Sequence, residues 1–234
     1  MTREPPLSAR LSAEAFGTFC LVFAGTGAVV VNEVTGGAVS HVGVALTFGL
    51  MVMVLASTLG RVSGCHINPA VTLGLVAAGR VSWAVVPAYL ASQCAGALAA
   101  SGVLRLLFPE SVTLGATLPT GGAMQSFVLE LLLTLILMVV VLAVSAGDAD
   151  ERRLGGVVIG GLIGLEALFA GPISGASMNP ARSLAPAVVA PHLESLWIYL
   201  VAPVAGALVA VPVFRCLDLG PAIPPHPFAP EDCP

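Results

Sequence analysis

The stretch Ser63-Gly64-Cys65-His66-Ile67-Asn68-Pro69-Ala70-Val71-Thr72-Leu73 returns in the second half of the chain as Ser174-Gly175-Ala176-Ser177-Met178-Asn179-Pro180-Ala181-Arg182-Ser183-Leu184. Asn before Pro is a helix-start signal, because Asn caps free N–H groups and Pro is tolerated at the first helical position. One Asn-Pro-Ala box alone reads as an ordinary helix start. Two boxes in matched frames point to an internal repeat with a working site where the repeats meet.

The 234-residue chain is 57% hydrophobic and 9% charged, with a mean hydropathy of +0.98. That excludes a soluble domain of this size. Apolar runs long enough to span a bilayer fall near 10–31, 41–60, 83–106, 123–146, 155–171 and 195–215, the fifth bounded by Gly171-Pro172. The runs 69–78 and 180–189 are too short to span and read as half-helices that enter and stop. The predicted fold is therefore an all-α membrane protein, with six transmembrane helices and two re-entrant half-helices in an inverted repeat. The first repeat is placed at 9–108, the second at 122–216, and the Pro-rich tail at 217–234 is expected to be disordered. Tyr89, Ala95-Gly96-Ala97-Leu98 and Arg105 recur as Tyr199, Ala205-Gly206-Ala207-Leu208 and Arg215. Small residues at Ser92, Gly96 and Ala100, and at Ala202, Gly206 and Ala210, suit close helix packing in lipid.

All nine basic residues are Arg. With six spans, Arg3, Arg10, Arg61, Arg80, Arg152, Arg153 and Arg215 share one side and Arg105 lies near the other. The positive-inside rule then makes both termini cytoplasmic. The five cysteines are scattered, so no disulfide framework or zinc spacing is expected. No cofactor, metal or nucleic-acid partner is expected. The partners implied are lipid bilayer, water and small neutral solutes.

Half-helices meeting near the midplane would bring Asn68 and Asn179 together with two positive dipole ends. With the capping oxygen turned to the helix, the amide N–H donors are expected to point free into the path. The irregular segments Gly64, Cys65, His66, Ile67 and Gly175, Ala176, Ser177, Met178 would supply carbonyl acceptors, since non-helical backbone at membrane depth is tolerated beside a cavity or inside protein. Arg182 breaks the symmetry, its counterpart being Val71. An Arg at that depth must line water or be paired. Glu14 and Glu130 open the two repeats and are expected to brace the loops, a role preferred over a proton relay because no chain of titratable groups accompanies them. Glu166, late in the fifth span, is expected to brace the second loop or to act as a charge near Arg182. His66 reads as loop-bracing or pore-lining, without a second metal ligand at usable spacing.

At these residues, over about 9–216, the chain resembles the aquaporin and aquaglyceroporin (major intrinsic protein) family. The resemblance implies a right-handed six-span bundle, one pore per subunit and a homotetramer. It also implies an outer selectivity filter at Phe48, Ala167, Ala176 and Arg182. Water-selective members are similar in carrying a His where this chain has Ala167, so the filter here is expected to be wider and less polar. Glycerol facilitators carry Asp where this chain has Ser183. The segment Ala170-Gly171-Pro172-Ile173-Ser174-Gly175-Ala176-Ser177-Met178-Asn179 is similar to plant nodulin-like intrinsic proteins and their bacterial relatives. That subgroup implies small uncharged hydroxylated solutes, including glycerol and metalloid acids such as arsenous acid. A passive channel in a bacterial inner membrane is expected, with ions and protons excluded.

A water-selective channel is the first alternative. A secondary transporter would share broken helices and inverted repeats, but needs a coupling carboxylate at the midplane, and no Glu sits at a box. An enzyme is not expected, because the chain has no nucleophile elbow, paired His/Glu metal box or phosphate loop.

Overall fold

The computed structural model describes residues 5–220. Among them are eight α-helices: α1 (Leu7–Val34), α2 (Ser40–Ser63), α3 (Pro69–Ala77), α4 (Val86–Leu107), α5 (Ala123–Ala146), α6 (Ala149–Ser174), α7 (Pro180–Val189) and α8 (Leu196–Cys216). Six are long and apolar enough to cross a membrane, and α3 and α7 are the short ones. No strand occurs among the described residues. The expected disordered tail lies, from 221 on, outside the described residues, as does Arg3.

Backbone chemistry sets the breaks. Helix α2 stops where Gly64 turns left-handed (φ +86°), and α6 stops where Gly175 does the same (φ +87°). Each glycine donates its N–H four residues back, to Gly60 O and Gly171 O. The next helix then starts at the Asn-Pro pair.

Close crossings hold the bundle. A Cβ on Gly49 would meet Gly160 O and one on Gly160 would meet Gly49 O, so α2 and α6 cross at reciprocal, repeat-matched glycines. Gly96 lies against the Ala15 carbonyl, joining α4 to α1, and Gly206 against the Leu131 carbonyl, joining α8 to α5. Small residues at such points let backbones approach where no hydrophobic force between helices is available.

The fifth span differs from its expected limits of 155–171. Helix α6 begins earlier because Asp148 and Glu151 form a capping box that hydropathy does not register. It also runs through Pro172 to Ser174. Proline cannot donate to the carbonyl four residues back, Leu168 O, but the His41 ring nitrogen reaches that oxygen at 2.8 Å. Helix α4 starts after a single 3-10 turn at Trp83–Val85.

Candidate functional site: the pore

The two boxes interlock. Asn68 Oδ1 caps α3 by accepting from Ala70 N at 2.9 Å, and Asn179 Oδ1 caps α7 by accepting from Ala181 N (3.1 Å) and Arg182 N (3.3 Å). The sequence suggested that both amide nitrogens point free into the path, but each is engaged within the protein. Asn68 Nδ2 donates to Met178 O (2.7 Å) and Asn179 Nδ2 donates to Ile67 O (2.9 Å). Each amide thus ties its own half-helix to the opposite loop with one hydrogen and keeps one hydrogen for the path.

The loops before the boxes are wound against their preference. Cys65 (φ +48°) and Ile67 (φ +43°) are left-handed, and so are Ala176 (φ +42°) and Met178 (φ +53°). Non-glycine residues there cost about 1–3 kcal/mol each. Buried carboxylates offset this. Glu14 accepts from Ser63 Oγ, His66 N, Ile67 N and Gln93 Nε2 at 2.7–2.9 Å. Glu130 accepts from Ser174 Oγ, Ser177 N and Met178 N at 2.7–2.8 Å. Tyr89 donates to Ser63 O and Tyr199 to Ser174 O. His66 packs on Tyr89 and its Nδ1 lies 3.1 Å from Thr72 Oγ1.

Glu166 departs from expectation. It is 2% exposed, yet neither carboxylate oxygen has a partner among the described residues. Among the described residues it accepts no bond from the second loop, whose Ser174, Ser177 and Met178 donate to Glu130. It does not line either pore cavity, whereas its neighbour Ala167 lines both.

Two cavities lie along the bundle. The inner one, about 100 Å³, is lined by Gly64, Cys65, His66, Ile67, Asn68, Ala176, Ser177, Met178 and Asn179, among others. The outer one, about 270 Å³, is lined by Asn32, His41, Gly115, Thr117, Gly175 and neighbours. The residues common to both are Phe48, Ala167 and Arg182, which therefore border the neck between them. Ala176 lines only the inner side.

Arg182 is fixed there. Its Nη1 donates to Gly115 O at 2.8 Å, and its guanidinium carbon stands 5.0 Å from the Phe48 ring centroid. Gly115 (φ +70°) packs tightly on Thr26, and a Cβ there would lie only 3.0–3.2 Å from it. Gly25 opens space for the Phe48 ring in the same way. Thr117 donates to Ser183 Oγ at 2.8 Å, tying the connection between α4 and α5 to α7. Asn32, His41, Gly115 and Thr117 were not singled out from sequence. The Pro172 that strands the Leu168 carbonyl was the one available signal for His41.

Chemically, the path offers amide hydrogens, loop carbonyls and one guanidinium between apolar walls. Among the described residues no group of three His, Cys, Asp or Glu could hold a metal. Such a site can exchange hydrogen bonds with a neutral solute, but it offers no reactive constellation.

These features define a membrane-channel class: a six-span bundle whose two half-helices meet at capped N-termini. The major intrinsic protein profile matches residues 1–214, and the chain belongs to that family. It is 50% identical over 210 residues to Aquaporin NIP1-4 of Oryza sativa subsp. japonica, covering 89% of this chain and 77% of that one. It is 42% identical over 211 residues to Nodulin-26 of Glycine max, covering 90% and 78%. The X-ray structure of the aquaglyceroporin from Plasmodium falciparum superposes with a TM-score of 0.78 at 25% identity, over 92% of this chain and 99% of that one. The protein is a channel of the nodulin-like aquaporin type and not an enzyme.

Proposed function

We propose that the channel passes small neutral hydroxylated solutes (glycerol and metalloid acids such as arsenous acid) together with water, and excludes ions and protons. The observation that carries this reading is the composition of the neck. Phe48 and Ala167 are apolar, Ala176 lies just inside, and Arg182 is the one charge there. We assign these four residues as the selectivity filter. Two alanines leave room for a solute wider than water, and Arg182 donates to its hydroxyl oxygens. Cations are repelled by Arg182 and by two half-helix N-termini, each carrying about half a positive charge. Asn68 and Asn179 reorient a passing hydroxyl at the midplane, and the carbonyls of Gly64 to Ile67 and of Gly175 to Met178 accept from it. We place the protein in an inner (plasma) membrane as a homotetramer, with a pore in each subunit.

Stopped-flow light scattering on proteoliposomes tests this. Vesicles shrunk in an impermeant osmolyte should shrink fast, and in glycerol they should shrink and then reswell fast. Arsenous and boric acid follow as further solutes. Fast shrinkage without reswelling in any of them would make the protein a water-selective channel. The variant Ala167→His narrows the neck and should cut glycerol flux about tenfold, as about 1.4 kcal/mol of added barrier does, with water flux kept. Unchanged glycerol flux in that variant would mean the filter lies elsewhere.

A further inference from the structure

We propose that His41 is a positioning residue for the neck. It holds the proline-broken turn of α6 at a fixed distance from α2 and so sets which solutes pass. Pro172 lies inside α6 and has no N–H to give to Leu168 O four residues back, and its ring pushes that carbonyl off the helix axis. The turn lies at the exposed edge of the outer cavity, so a carbonyl without a protein donor there falls back on water. The His41 Nε2 supplies the donor at 2.8 Å. The bond is particular to this turn. Prolines also interrupt α7 (Pro186) and α8 (Pro203, Pro212). Among the described residues, no side-chain donor reaches the carbonyls four residues before those prolines.

The place of the bond gives it its consequence. Leu168 follows Ala167, which borders the neck. His41 precedes Phe48 by about two turns of α2 and so shares its face. Both side chains line the outer cavity of about 270 Å³. The same ring also packs on this turn at Gly171, where an added Cβ would lie 2.7 Å from its Cε1. One side chain therefore ties the α2 wall, which carries Phe48, to the α6 wall, which carries Ala167. Without it, the stranded carbonyl has to find water, the turn relaxes toward the open side, and the gap between Phe48 and Ala167 closes unevenly.

The test is a double-mutant cycle in proteoliposomes, reading glycerol and osmotic water permeability on the same vesicles. His41→Leu should lower glycerol permeability about fivefold, the size of one lost neutral hydrogen bond, with a smaller effect on water. His41→Gln places an amide N–H close to the Nε2 position and should restore wild-type behaviour. His41→Asn, whose amide falls short at the Nδ1 position, should behave like Leu and serves where the Leu variant does not fold. In a Pro172→Ala background, Leu168 regains a backbone donor and His41→Leu should have no further effect. Equal loss in both backgrounds, or no loss in the otherwise wild-type channel, would overturn the proposal. A role in stability alone would lower the unfolding temperature and leave the glycerol-to-water ratio unmoved. The glycerol readout rests on the proposed solute path. If the wild type passes no glycerol, that path fails, and the same cycle read in water permeability still decides the role of His41.

Discussion

Cys65 and Ala176 hold matched positions in the two loops, and both residues are left-handed, with φ of +48° and +42°. The first-repeat loop thus places a thiol on the wall of a cavity of only about 100 Å³. A mercurial bonded to that sulfur would take up part of this narrow path. Mercuric ion should therefore block osmotic water flux in proteoliposomes, and Cys65→Ser should relieve the block at least about tenfold in half-inhibitory concentration. Cys20 and Cys94 are half-buried and Cys216 is exposed, which makes them the internal controls. Equal inhibition of the variant would assign the reactive thiol to one of the other four cysteines, Cys20, Cys94, Cys216 or Cys233, the last of which lies outside the described residues. The serine keeps the size of the side chain and leaves the Cys65 N–H bond to Ser63 Oγ in place, so unmodified flux should not change.

Comparing elements across the repeat exposes an anomaly in α6. Leu55 of α2 packs with Leu21 and Ile67 beneath the first loop. Glu166 stands at the matched position of α6, and there it finds no hydrogen-bond partner among the described residues. A buried, unpartnered carboxyl costs about 1–3 kcal/mol. Glu166→Leu, which repeats the first-half solution, should raise the thermal unfolding midpoint in detergent by about 2–8 °C and leave flux unchanged. A lower midpoint, or lost flux, would show that the carboxyl serves the second loop after all. This anomaly also marks the limit of what the chain discloses. Half-helix starts were legible because Asn-Pro carries its own capping chemistry, and the crossings at Gly96 and Gly206 because small residues recur in frame. The reciprocal crossing of Gly49 with Gly160 was not, since an isolated glycine in an apolar helix has many readings. Nor was the Gly115 carbonyl that holds Arg182, because a backbone acceptor contributed by a connecting segment leaves no residue-type signal. The end of α6 was misplaced for a related reason: Pro172 reads as a stop until a donor from a different helix is known to satisfy its turn.

For the whole molecule, the distribution of Arg makes the bundle directional. Arg10 opens α1, Arg61 closes α2, Arg80 follows α3, Arg152 and Arg153 open α6, and Arg215 closes α8. Six spans alternate in direction, so these residues all lie at one end of the bundle, while Arg105 closes α4 at the other. Each central Arg crossing resists insertion by about 2.5–3.5 kcal/mol, and loops rich in Arg stay on the cytoplasmic side during insertion. Both termini should therefore be cytoplasmic, and the neck at Arg182 should open to the outside together with the connection between α4 and α5. In a bacterial host, green fluorescent protein fused after residue 216 should fluoresce, and alkaline phosphatase fused there should be inactive. Phosphatase inserted between α4 and α5, near Val112, which is exposed, should be active. The reverse pattern would turn the channel over and put His41 and Arg182 on the cytoplasmic side. The pore would still conduct, because a passive path takes its direction from the solute gradient. What would change is the side from which the neck selects, so the fusion result decides whether external or internal solutes meet Phe48, Ala167 and Arg182 first.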